Sequence, residues 1–178
     1  MSMRTIYNKL SRIHHATTQG LVNNKISKFI EKNKLILHGS RAMNAQAHFP
    51  YQRAARDFDI LTRKNAKPYA TKLDKELDQL RNGNYHYVKP ARHRGTYMVM
   101  DIGNDLIPRT RDDFELASLT KLPRKRFKTI KTNNLTYAHL DELEKSKRRA
   151  LRFKKYQYRH KKDRQDLKII QMLKGGFI

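Results

Sequence analysis

The chain has 178 residues, with 40 Lys+Arg against 16 Asp+Glu, a formal net charge of +24, and 38% hydrophobic residues. That length suits one domain, or one domain with arms. The charge asks for a polyanionic partner, nucleic acid ahead of a membrane surface. The absence of cysteine excludes disulfides and thiolate metal sites and fits a reducing interior. No apolar run approaches the ~18 residues that would span a bilayer. A cytoplasmic or other reducing intracellular compartment is therefore expected, with a virion or an organelle left open.

In chain order, residues 1–18 read as a basic N-terminal arm. Over 17–33, Leu21, Val22, Ile26, Phe29 and Ile30 recur at helical spacing behind a Thr17 or Thr18 cap. Residues 34–38 read as a buried strand. Residues 40–47 read as a short helix that ends at His48-Phe49-Pro50, since a residue before proline avoids the helical region. A basic loop over 51–56 leads to a second strand, 57–62. Residues 66–81 form a helix with Tyr69, Ala70, Leu73, Leu77 and Leu80 on one face. Asn82-Gly83-Asn84 supplies its left-handed stop.

Residues 85–88 and 96–102 read as strands around the basic turn 91–95, and 106–110 as a return strand after Gly103-Asn104-Asp105. Residues 113–135 read as irregular. A helix is expected over 137–153, with Leu140, Leu143, Ala150 and Leu151 inward. A last helix over 159–173 carries Leu167, Ile170 and Leu173. This order predicts an α/β (α+β) fold, a small mixed β-sheet flanked by helices. The expected division is an arm over 1–18, a core over 19–112, and a basic loop with C-terminal helices over 113–178.

Charge is uneven along the chain. Residues 121–164 hold 17 Lys+Arg and 4 Asp+Glu, a local excess of 13, which is over half of the total. Candidate nucleic-acid contacts are Arg124, Lys125, Arg126, Arg148, Arg149, Lys154 and Lys155 for phosphates, and Tyr156 and Tyr158 for stacking on exposed bases. Asp112, Asp113 and Glu115 read as a solvated loop offsetting Arg109 and Arg111. Asp163 and Asp166 are expected to pair with Lys162 or Arg159.

The densest chemical signal lies in residues 35–62, LILHGSRAMNAQAHFPYQRAARDFDILT. An apolar strand runs into Gly39-Ser40, and a later strand carries Asp57 and Asp59. Side chains alternate along a strand, so the two acids share a face. They repel each other there unless a cation sits between them. A divalent metal on oxygen ligands, with a phosphate-bearing substrate completing its shell, is the usual reason for such a pair. The bland alternative is a solvated strand end balanced by Arg53 and Arg56.

Gly39-Ser40 followed by Asp57-x-Asp59 resembles the signature of the DNA polymerase β-like nucleotidyltransferase superfamily, and Gly39-Ser40-Arg41-Ala42 looks like its minimal members. The gap from Gly39 to Asp57 is longer than their compact form. The stretch from Arg159 to Leu167 also resembles the closing helix of many members, where a basic residue and Asp-Leu lie near the nucleotide. The resemblance implies that Gly39 and Ser40 hold a triphosphate, with Arg159 and Lys162 as further nucleotide contacts. It implies Asp57 and Asp59 as ligands of Mg²⁺ or Mn²⁺, and a third carboxylate on a neighbouring strand, for which Asp101 is the candidate. The expected activity is transfer of an NMP from an NTP to a hydroxyl of nucleic acid, such as tRNA, or of protein. The alternative is a catalytically degenerate version of the fold acting as a nucleic-acid-binding or structural part of a larger ribonucleoprotein or viral particle. Asp101 decides between them: it must lie beside Asp57 and Asp59 to serve as a ligand.

Overall fold

The computed structural model describes residues 19–47, 51–52, 55, 57–102, 113–122 and 126–175, with Lys155 as backbone only. The chain runs through helix α1 (residues 19–32), strand β1 (Ile36–Leu37), helix α2 (Gly39–Asn44), β2 (Phe58–Thr62), α3 (Ala66–Arg81), β3 (His86–Pro90) and β4 (Thr96–Asp101). It continues through β5 (Phe114–Lys121), β6 (Thr129–Thr132), β7 (Leu135–Ala138), α4 (Leu140–Leu151), a 3₁₀ helix (Lys154–Arg159) and α5 (His160–Gly175).

The strands form one mixed sheet in the order β3-β4-β5-β2-β1-β7-β6. β5 joins β2 in parallel and β4 antiparallel, and β7 joins β1 in parallel. The sheet therefore draws central strands from both sides of residue 112. Among the described residues, no helix is long and apolar enough to cross a membrane.

Helices cover both faces. α1 and α3 bury Ile26, Phe29, Leu73 and Leu77 against Leu37, Phe58, Ile60, Val99 and Leu119. α2, α4 and α5 bury Ala42, Met43, Leu143 and Ile170 against Ile36 and Ala138 on the other face. The expected α/β fold with helices on a mixed sheet is what the chain forms. α3 has its predicted bounds and ends at Asn82 in the left-handed region, φ 53°. Leu21 and Leu80, expected inward, stand 55% and 39% exposed at the margins of their stripes.

Residues 113–135 are not irregular: they hold β5 and β6. Leu116 and Ala117 are both buried, which breaks the alternation by which a strand is read. β6 and β7 are joined by Asn133-Asn134, with φ of 48° and 65°. Two positive values in a two-residue loop make a type I′ hairpin turn, whose twist matches the strands.

The helix expected from 137 begins at Leu140 instead. Tyr137 and Ala138 belong to β7, and His139 is extended, its side chain capping α4 by accepting from the Asp141 N–H. The return strand expected over 106–110 lies outside the described residues.

Candidate active site

β2 fixes the first two acids. Phe58 and Ile60 turn into the core, so Asp57 and Asp59 turn to the opposite face, both half-buried. β1 then delivers the glycine turn. The His38 N–H donates to the Asp59 carbonyl at 2.8 Å, and the chain bends at Gly39 with φ +61°. A Cβ at Gly39 would lie 1.9 Å from Asp59 Oδ2. Glycine is thus required twice, for the backbone angle and for the space that the Asp59 carboxylate occupies. One turn into α2, Arg41 Nε donates to the Asp57 carbonyl at 3.0 Å, and its guanidinium lies 3.5 Å above the Phe58 ring. These contacts pin the Asp-Phe-Asp backbone from behind.

The third acid comes from β5. Asp59 stands opposite Ser118, whose hydroxyl donates to Asp59 Oδ1 at 3.1 Å. Across the next strand, Met98 faces Ser118 and Val99 faces Ala117, but Met100 faces Glu115. β5 therefore carries one extra residue, Leu116, against β4. Glu115 is two residues from inward-facing Ala117 and would point into the core on a regular strand. The bulge moves it to the face shared by Met98, Met100, Ser118 and Asp59. Its carboxyl is pushed above the usual range by burial first, then by the charges of Asp57 and Asp59. Ser118 and Lys89 act in the opposite direction.

Asp101 does not join them. It follows Val99 by two residues and so faces the α3 side of the sheet, where it is buried. Arg81 binds it at 2.8 Å, and His86 Nε2 lies 3.7 Å away. The residue read from sequence as a solvated loop acid, Glu115, stands with Asp57 and Asp59 where Asp101 was expected. The signal for it lies only in the pairing of β5 with β4, which the order of residues 113–121 does not show.

Among the described residues, none of Asp57, Asp59 and Glu115 is in an ion pair, although the chain carries 40 Lys+Arg. Arg53 and Arg56, which could have balanced the pair, lie outside the described residues. Among those described, no group of three or more His, Asp or Glu is placed to hold a metal by itself. Mg²⁺ is usually bound by one or two carboxylates plus substrate phosphates, not by a full protein cage. The oxygen donors of Asp57 and Asp59 fit that mode.

The C-terminal helices back the site. His38 is held below its usual range by burial, with Asp59 and Glu142 opposing that shift and Lys147 and Arg159 adding to it. The charges it feels are thus those of Asp59 on β2, Glu142 and Lys147 on α4, and Arg159 on the 3₁₀ helix. Of these, Lys147 reaches Asp163 and Asp166 at 2.7 Å each. Both acids thus pair with Lys147, across to α4.

Ser40 is half-buried in the first turn of α2, while Arg159 and Lys162 are exposed on the 3₁₀ helix and α5. Arg126, Arg149 and Lys154 are exposed. Arg148 is taken by Glu144 at 2.8 Å. Arg124, Lys125 and the Lys155 side chain lie outside the described residues. Tyr158 is 80% exposed, whereas the Tyr156 hydroxyl bonds to His93 Nε2 at 2.6 Å.

Neither a family model nor a curated protein matches the sequence. A solved structure does share the fold. The Megavirus polyadenylate synthase is similar over 94% of this chain, with a TM-score of 0.63 and 16% identity. The chain spans 36% of that protein's length. JHP933 from Helicobacter pylori (TM-score 0.49, 15% identity, 75% of this chain and 56% of that one) is more distant. So is an H. pylori protein described as a nucleotidyltransferase (TM-score 0.45, 16% identity, 75% and 57%). The chain has a nucleotidyltransferase-like fold.

Proposed function

We propose that the chain is a metal-dependent nucleotidyltransferase that moves an NMP from an NTP onto a hydroxyl of a nucleic acid. The observation that carries this is the convergence of Asp57, Asp59 and Glu115 on one sheet face beside the Gly39-Ser40 turn, with no ion pair to any of them among the described residues. Like charges brought together, with no ion pair among the described residues to neutralise them, are suited to a cation from outside. Asp57 and Asp59 would hold Mg²⁺ or Mn²⁺, which when bound neutralises triphosphate charge and makes the acceptor hydroxyl easier to deprotonate.

The bare backbone at Gly39 lets a triphosphate approach, and the Ser40 hydroxyl can donate to it. The acceptor oxygen attacks the α-phosphorus, the bond from that phosphorus to the bridging oxygen breaks, and pyrophosphate leaves. Glu115, whose carboxyl is raised, is the base the acceptor proton reaches. Arg159 and Lys162, both exposed, are the cations this reading assigns to the leaving phosphates, and the basic C-terminal third supports a polymeric acceptor.

The test is Mg²⁺-dependent transfer of label from each α-labelled NTP onto RNA, single-stranded DNA and the protein itself, with Asp57→Asn/Asp59→Asn alongside. Label moved by the wild type and lost in the variant is expected. No transfer to any acceptor, from protein that still binds nucleic acid, would replace this reading with a binding role.

A further inference from the structure

The 3₁₀ helix and the β3–β4 hairpin are 63 residues apart in sequence, yet they are joined. The Tyr156 hydroxyl bonds to His93, and the two rings lie 5.3 Å apart between centroids at a 42° tilt. Phe153 sets its ring edge-on to Tyr156 at 6.1 Å. Side chains three apart eclipse on a 3₁₀ helix, so Tyr156 and Arg159 form one ridge, with Phe153 packed at its start. The ridge runs from the hairpin contact at Tyr156 to Arg159, whose charge is felt by His38 behind the Gly39 turn. Tyr158 projects off this ridge at 80% exposure, and Phe153 is 43% exposed.

Cations flank the rings. Arg92 and Arg94 stand exposed on the hairpin, and Lys154 and Arg159 on the 3₁₀ helix. Among the described residues none of these four is in an ion pair. The neighbouring basic face of α4 differs: Asp141 and Glu144 there take Lys128, Arg148 and Lys174. Among the described residues, one basic surface is thus neutralised and the other is left without ion pairs, beside the 80% exposed ring of Tyr158.

We infer that this joined surface binds single-stranded nucleic acid, with Arg92, Arg94, Lys154 and Arg159 on phosphates and Phe153 and Tyr158 stacking on bases. Exposed ring faces among cations that track a backbone are what unpaired strands bind, because every base offers a π-face. A duplex hides those faces and would use the cations alone. The Tyr156–His93 bond is a clasp that holds the two basic segments in one surface. The inference places the acceptor assumed under the proposed function, but the binding itself needs no transfer.

The experiment is fluorescence anisotropy of short labelled oligo-U and oligo-dT strands, and of a duplex of equal length, without metal or NTP. Single strands of either sugar should bind more tightly than the duplex. Tyr158→Ala should weaken them roughly 5- to 150-fold. Arg92→Ala/Arg94→Ala should lower the slope of log affinity against log salt by about 1.4. Lys28→Ala/Lys32→Ala, the same charge change on α1 across the sheet, should leave affinity nearly unchanged. Duplex binding as tight as single-strand binding, or an equal loss from the α1 pair, would overturn the inference. Binding is read without metal or NTP, so a failed transferase reading and a failed binding surface give different results.

Discussion

Replacing Gly39 by alanine tests the geometry of the site with one carbon. Two costs arise. A non-glycine residue at φ +61° pays about 1–2 kcal/mol for the left-handed backbone. The new Cβ would also lie 1.9 Å from Asp59 Oδ2 and 2.9 Å from its Cγ, so the carboxylate must swing away. Swinging breaks its bond from Ser118, which adds about 0.5–1.5 kcal/mol. The sum is about 1.5–3.5 kcal/mol, read from urea denaturation. Gly95 separates the two costs, because it has φ +80° and nothing within 4 Å of an added Cβ. Gly95→Ala should lose only the backbone part.

Transfer should suffer far more than stability. Displacing a positioned ligand by about 1 Å costs ~100-fold, so Gly39→Ala should lose at least that while remaining folded at 25 °C. Equal destabilisation by the two alanines, with transfer by Gly39→Ala within a few fold of wild type, would refute the reasoning.

Glu115→Gln should abolish transfer yet raise the melting temperature of the metal-free protein by a few degrees at neutral pH. A carboxyl whose folded pKa is raised contributes stability below its unfolded pKa and loses it as pH rises through the folded value. The gain should therefore vanish in acid, and a gain that persists there would contradict it. Asp101→Asn should cost about 1–3 kcal/mol through the lost Arg81 bond and leave transfer intact; lost transfer at unchanged stability would reverse the assignment. Lys147→Met strands Asp163 and Asp166, both 1% exposed, and should cost about 3–5 kcal/mol by urea denaturation. A loss below about 1 kcal/mol would contradict the ion cluster.

What could be read without coordinates was local. Gly39, Asp57 and Asp59 are tied together by one strand alternation and one turn, both written in adjacent residues. The stop of α3 at Asn82 was legible for the same reason. The third acid was not local. Asp101 closes the apolar strand β4 and invites selection, but its face is set by Val99, which packs against α3. Glu115 reaches the site only because Leu116 is an extra residue in β5, and a bulge leaves no mark that alternation can detect. The same double burial hid β5 itself. Asn133-Asn134 did carry a hairpin signal, and it was lost to an apparent helical pattern running through Tyr137. The Lys147 pairing spans 16 and 19 residues between two helices, so nothing at the level of neighbouring residues could specify it.

The central claim is that Asp57 and Asp59, not Asp101, hold a divalent cation with a nucleotide, and that Glu115 stands beside them as the base. Titrating Mn²⁺ by its electron spin resonance signal, with a non-hydrolysable NTP present, tests the cation site directly. Wild type and Asp101→Asn should both take up the ion, and Asp57→Asn and Asp59→Asn should bind it at least tenfold more weakly. Unchanged binding in Asp57→Asn and Asp59→Asn, with loss in Asp101→Asn, would contradict the account.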